Sequence, residues 1–156
     1  MAEYIADAVQ TVNPGESVIF TDVSSPCRRG FVRHRNGTGN FLLSGWLPPT
    51  RCCCPCMQPR SAEYLVDFGA DIAVPTGGTP GPISLALTID GATIPASIMT
   101  VPGAVVEQYY NVSRAINADV WRGCCETVTV RNVSDQPILV QHANIIFSRP
   151  DLAVTR

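Results

Sequence analysis

The sequence predicts an all-β domain, an antiparallel sandwich or barrel of about eight to ten short strands. Three observations predict it. Turn signals recur every ten or so residues, with apolar β-formers between them. No window of twelve or more residues sustains an apolar face at helical spacing. Thirteen prolines and twelve glycines punctuate the chain too often for long helices. A chain of 156 residues is one ordinary domain, spanning 1–156, and no repeat or linker divides it.

The elements follow in order. Asn13-Pro14-Gly15 is a turn before a strand at Ser17-Val18-Ile19-Phe20. Gly30 to His34 and Phe41 to Gly45 form a hairpin, because Asn36-Gly37 supplies the positive φ angles of a tight turn. A Cys/Pro-rich loop follows at 46–60. From Glu63 to Val74 the pattern alternates, with Tyr64, Val66 and Phe68 on one side and Glu63, Leu65 and Asp67 on the other. The loop Pro75 to Pro82 leads to a strand at Ile83 to Ile89, an Asp90-Gly91 turn, and a strand at Thr93 to Thr100. Val105 to Val112, Ile116 to Val120, Glu126 to Asn132 and Ile138 to Phe147 complete the set, with Val128 and Val130 turned inward. Val101 to Tyr110 has room for one helical turn at most.

Composition narrows the function classes. Hydrophobic residues make up 46% and charged residues 15%, a globular composition with little charge to cover a small monomer's surface. Some apolar surface is therefore expected against another subunit. All eleven basic residues are arginine, which excludes a Schiff-base lysine, a phosphate-loop lysine and a lysine crosslink. A net charge of −2 argues against a nucleic-acid face. The one basic cluster, Arg28, Arg29, Arg33 and Arg35 with His34, is split between two faces by strand alternation. No apolar run reaches the ~20 residues that span a membrane. The start, Met1-Ala2-Glu3-Tyr4, does not read as a secretory signal, so synthesis in the cytoplasm without a signal peptide is expected.

The order of features carries a resemblance. It rests on Tyr64-Leu65-Val66-Asp67-Phe68, on Ile83 to Leu87 before Asp90-Gly91, on Glu126 to Asn132, and on Ala143-Asn144-Ile145-Ile146-Phe147. The chain resembles the jelly-roll sandwich of the TNF/C1q-like superfamily over roughly residues 14 to 148. The resemblance implies ten strands, trimers packed about a threefold axis through one sheet, and no catalytic residues. The chain also resembles small proteins of gut Firmicutes and their phages, through Val12-Asn13-Pro14-Gly15-Glu16, Phe20-Thr21-Asp22, Pro26-Cys27, Val74 to Thr79, Arg122-Gly123-Cys124-Cys125 and Val130-Arg131-Asn132.

Seven cysteines are many for a reducing cytosol. Cys53 and Cys56 form a C-x2-C pair, and Cys27 with Cys124 or Cys125 would complete a four-ligand zinc set. No second C-x2-C pair exists, so the zinc reading is the weaker one and no cofactor is expected. Disulfides are the rival, with Cys27, Cys52, Cys53, Cys54, Cys56, Cys124 and Cys125 as candidates. An odd total leaves one thiol for an intermolecular bond or free. Inert reduced thiols are the blandest reading. Adjacent Cys124 and Cys125 point to opposite faces of a strand, one inward and one exposed.

Other constellations are thin. His34 and His142 are the only histidines, no base accompanies a cysteine, and no Gly-x-Ser-x-Gly elbow exists. His142 reads as a satisfied structural histidine. Asp67, Asp71 and Asp90 read as solvated or turn-forming. The glycines of 75–82 read as a close turn or a subunit contact, because the loop lacks a lysine and a helix. Tyr109, Tyr110, Trp46 and Trp121 form a candidate sugar-stacking surface, set against core burial as the usual use of such rings.

These observations predict a non-enzymatic, self-assembling structural protein. The first expectation is a phage virion decoration or head-fibre protein, trimeric and docked on other structural proteins of the particle. A spore-surface or extracellular filament subunit crosslinked by disulfides is the alternative, and a glycan- or receptor-binding head is the second. The final location is then a virion or a cell or spore surface, with no nucleic acid and no membrane as partner.

Overall fold

Period-two alternation of apolar side chains folds the described residues, 1–47, 59–123 and 125–152, into strands and short turns in the computed structural model. The strands are β1 (Ala2–Ala6), β2 (Gln10–Val12), β3 (Asp22–Ser25), β4 (Val32–His34), β5 (Phe41–Ser44), β6 (Ser61–Ala73), β7 (Ile83–Ile89), β8 (Ala92–Thr93), β9 (Met99–Val101), β10 (Tyr110–Trp121), β11 (Cys125–Asn132) and β12 (Ile138–Ser148). Two single 3-10 turns, Pro95–Ser97 and Pro150–Leu152, are the only helical pieces among the described residues. None is long enough to cross a membrane.

All strand pairings are antiparallel. The first sheet runs β10-β6-β12-β1-β3, with β2 also paired to β12. The second runs β4-β5-β11-β7-β8, with β9 also paired to β7. Tyr64, Val66 and Phe68 of β6, Ile145 and Phe147 of β12, and Val128 and Val130 of β11 are all buried between the sheets. Phe41 is the hub of the aromatic core. Its ring lies 4.9 Å from those of Tyr4 and Phe147 and 5.1 Å from that of Phe20. Burying so many rings removes enough apolar area to dominate the stability of the sandwich.

Several expected elements differ. Ser17–Phe20 makes only single bridges, Ser17 to Arg131 and Phe20 to Thr38. This segment crosses from one partner to another, and its Val18 amide donates to the Val130 carbonyl before Phe20 donates to Thr38. Gly39 is obligatory beside it, since a Cβ there would overlap the Val18 carbonyl. The expected strand Thr93–Thr100 is broken by Pro95, which has no N–H for a ladder and opens the turn Pro95–Ser97. Val105–Val112 and Ile116–Val120 are not two strands. One strand, β10, begins at Tyr110, because Gly103 (φ 52°) and Glu107 (φ 57°) bend the chain before it. The sequence reading missed β1, β2 and β3, which are short and, in β2 and β3, barely buried.

Candidate functional site

The end of the sandwich from which the Cys/Pro-rich segment leaves is built around Arg149. This arginine follows β12, and its side chain is only 1% exposed. Nη1 donates to the Tyr64 hydroxyl at 3.3 Å and to the Trp46 carbonyl at 3.2 Å. Nε donates to Asp151 Oδ1 at 2.8 Å, and Nη2 donates to Asp151 Oδ2. The guanidinium also lies over the rings of Tyr64 (4.8 Å) and Phe31 (5.9 Å). The Tyr64 hydroxyl accepts from the Ser44 amide at 3.1 Å and donates toward the Ser44 carbonyl at 2.6 Å, with the Phe31 carbonyl at 3.0 Å. Burial pushes the Tyr64 hydroxyl above its ordinary pKa, and the bonds from Arg149 and Ser44 oppose that rise. Arg149 itself is held above its ordinary value by Asp151 and Tyr64, against burial. The network ties the last strand to β5 and β6 and fixes the backbone at Trp46.

Trp46 itself stands out from this anchor, 57% exposed. Two cavities of about 520 and 550 Å³ share Arg33, Ser44 and Trp46 as walls. The first also has Arg122, Gly123 and Cys125 in its lining, and the second Arg29, Phe31 and Asp151. Alternation explains Arg33: Val32 is buried, so Arg33 faces out, opposite Leu42 of β5. His34 turns inward and stacks on Phe41, with centroids 4.5 Å apart and its Nε2 3.0 Å from the Thr38 carbonyl. Strand alternation thus separates His34 from Arg33, but the arginines are not divided between two faces as expected: all four are exposed, and Arg29 and Arg33 line one cavity.

The cysteines are distributed as follows. Cys27 is half-buried, and its Sγ accepts the Val32 amide at 3.4 Å. Cys125 is exposed at the start of β11, paired with Ser44 of β5. Cys52, Cys53, Cys54, Cys56 and Cys124 lie outside the described residues. The proposed zinc ligands Cys53, Cys56 and Cys124 are among them. Among the described residues no group of three or more His, Cys, Asp or Glu side chains is placed to hold a metal. The turn carrying Arg122 and Gly123 sits between the stems of the Cys/Pro-rich segment: the Arg122 amide donates to the Arg60 carbonyl at 2.8 Å, while Cys125 pairs with Ser44.

The four aromatics do not form one surface. Tyr110 begins β10 and Trp121 ends it, so they stand eleven residue steps apart, about 36 Å along an extended strand. Only Trp46 of the four lines the two cavities described above. His142 is exposed at a bulge in β12, at φ 49°, so it is neither beside nor opposite Val140 in regular alternation. Its Nδ1 lies 3.2 Å from Asp71 Oδ2, and Asn111 donates to Asp71 Oδ1 at 3.0 Å. These bonds hold the Asp71 carboxyl below its ordinary pKa, the Asn111 bond foremost. Asp90, at φ 48°, forms the expected turn and accepts the Thr127 amide at 2.7 Å. In the 75–82 loop the glycines do serve a close turn: Gly77 has φ 82°. Sequence reasoning missed Arg149 altogether. An arginine after a terminal strand reads as solvent-facing, and only Asp151 two residues on hinted at a partner.

No family model and no curated protein matches the chain, so the resemblance to proteins of gut Firmicutes and their phages is unsupported. Solved structures do match. The Eiger TNF of S. frugiperda superposes with a TM-score of 0.60 at 11% identity, over 95% of this chain and 90% of that one. The globular domain of zebrafish complement 1qA superposes with a TM-score of 0.53 at 14% identity, over 93% and 94%. A weaker likeness, TM-score 0.43 at 8% identity, is to PRD1 vertex protein P5 and carries no weight here. The chain has the TNF/C1q-like jelly-roll fold.

Proposed function

We propose that this chain is a non-enzymatic, self-assembling structural protein that packs as a homotrimer and serves as a decoration or head-fibre protein of a phage virion. The observation that carries the reading is the outward face of the first sheet. Its three longest strands, β6, β10 and β12, have 13, 12 and 11 residues and lie side by side. Outward positions hold Leu65, Ile146 and Ile5, the small or amide side chains Gly69, Ser113, Ala115, Asn117 and Asn144, and the carboxylates Glu3, Glu63, Asp67, Asp71 and Asp119, with no arginine. Leu65 is 39% exposed. The stretch around Leu65, Ala115, Asn117 and Ile146, interrupted there by Asp67, suits burial against another copy.

The low charge and the cysteine-rich segment support the particle role. Cysteines near one end of a subunit suit locking to neighbours once a particle meets an oxidising environment. Other structural proteins of the particle are its partners in this reading, and neither nucleic acid nor membrane is. The protein is made in the cytoplasm and ends on the virion. A spore-surface or filament subunit is the neighbouring reading within the same class.

Sedimentation velocity with and without reductant tests the assembly. A species of about 50 kDa, three copies of 16.8 kDa, is expected in both conditions. Substituting Leu65→Arg is expected to return the protein to a folded monomer. A wild-type monomer at micromolar concentration overturns the reading. The particle role is tested by adding the protein to virions that lack it and looking for saturable, stoichiometric binding.

A further inference from the structure

We infer that the cavities on either side of Trp46 form a binding site for an acidic saccharide, a sugar bearing a carboxylate. This goes beyond the assembly role and does not depend on it.

Three observations converge on the site. The first is chemical. An indole 57% exposed stands at the junction of two cavities of about 520 and 550 Å³, each within the roughly 300–1,000 Å³ range of small-ligand sites. Its backbone is clamped by Arg149, so the ring projects from a fixed base. A rigid aromatic face with one open side is the surface on which the C–H face of a pyranose stacks.

The second is electrostatic. Arg33 lines both cavities and Arg29 lines the second. Among the described residues neither guanidinium has a hydrogen-bond or ion-pair partner. The first cavity, with Arg33 and Arg122 in its lining, contains no carboxylate there. The only carboxylate of the second, Asp151, is already engaged by Arg149. A chain of net charge −2 has thus placed two guanidiniums without a carboxylate partner among the described residues, Arg29 and Arg33, beside one ring. Guanidinium is the side chain suited to bidentate capture of a carboxylate.

The third is geometric. Arg33 and Ser44 stand on the outward face of neighbouring strands, β4 and β5, so the guanidinium and a hydroxyl border the same space as the indole. Polar groups at fixed positions beside a stacking ring are what orient a sugar. A nucleic acid would need cations continued along a track, whereas these converge on one ring. The sequence of residues 48–58 holds no acidic residue.

The test is calorimetric titration of the full chain with tri-galacturonic acid, the matching neutral galactose trisaccharide, an oligo-dT and inorganic phosphate at low ionic strength. Binding of the uronate, with the neutral sugar at least tenfold weaker, is the expected result, since a charge-assisted contact accounts for roughly tenfold or more. Arg33→Gln is expected to weaken the uronate roughly tenfold. Trp46→Ala is expected to abolish binding, with circular dichroism confirming the fold. Should Trp46→Ala not fold, the exposed Arg33→Gln variant decides alone. Equal affinity for the neutral sugar, tighter binding of oligo-dT or of phosphate, unchanged binding in Arg33→Gln, or no uronate binding by folded wild type each overturns the site.

Discussion

The guanidinium of Arg149 lies 4.8 Å over the ring of Tyr64 and donates to that residue's hydroxyl, joining the residue after β12 to the first part of β6. Because the arginine side chain is almost wholly enclosed, removing it strands Asp151 and the Trp46 carbonyl. Arg149→Met is expected to destabilise the fold by about 3 kcal/mol, the range for breaking one partner of a buried pair. Tyr64→Phe should lose about 1–3 kcal/mol, since the Ser44 amide and Arg149 lose an acceptor. Urea unfolding at neutral pH measures both. The raised Tyr64 pKa adds a signature: its contribution is complete below 10.0 and is lost as pH rises through the higher folded value.

Thr88 and Thr129 share a hydrogen bond of 2.6 Å between hydroxyls, both buried on neighbouring strands. Either Thr→Val change alone leaves one hydroxyl buried without its partner, at about 1–3 kcal/mol. The double Thr88→Val, Thr129→Val variant should recover most of that loss. A double-mutant cycle in urea checks it, and two additive losses would contradict the pairing.

Two carboxyls predict opposite pH behaviour. Asp71 is held below its ordinary value of 3.8, first by Asn111, so its contribution is present above 3.8 and lost as pH falls through the lower folded value. Asp71→Asn should flatten the acid limb of the stability curve. Glu126 is raised above 4.5, first by burial and then by Asp90 and Asp119, so it favours the fold when protonated and less so as pH rises past its raised value. Glu126→Gln should therefore raise the thermal midpoint at neutral pH and change little below 4.5. Melting curves across pH separate the two.

Asp67 lies between Ala115 of β10 and Ile146 of β12 on the face assigned to self-association. Burying its charge against another copy opposes assembly through desolvation. Asp67→Asn is expected to shift the monomer–trimer equilibrium toward trimer, seen as a lower midpoint concentration in sedimentation. A shift the other way would place that face outside the contact.

What was legible in the sequence follows from local pattern. β6 announces itself because Tyr64, Val66 and Phe68 alternate with Glu63, Leu65 and Asp67, and the outcome is buried against exposed as expected. The hairpin at Asn36-Gly37 was legible because Gly37 takes φ 76°. Three things were not. Ser17–Phe20 has strand composition, but its hydrogen bonds are drawn from two partners in turn, which no local pattern encodes. β1 is five residues, two of them alanine, and its strand character comes from the flanking β12 and β3. The candidate sugar face split because ring spacing along a strand says nothing of which end each ring occupies. Trp46 was among the aromatics singled out, but its guanidinium neighbours Arg29 and Arg33 were read as split between the two faces of a strand, because local alternation does not show that residues 28–29 sit in a turn.

The position of β12 in the first sheet has a consequence for the order of synthesis. It is the last strand among the described residues, yet it lies at the sheet's centre, between β6 and β1. A chain still emerging from the ribosome therefore holds β1 and β6 with a gap between them, and their hydrogen-bonding edges stay unpaired until residues 138–148 arrive. Nascent neighbours on one message carry only the halves of the flat face. In the proposed trimer, commitment to partners therefore waits until β12, the last strand among the described residues, has closed the gap.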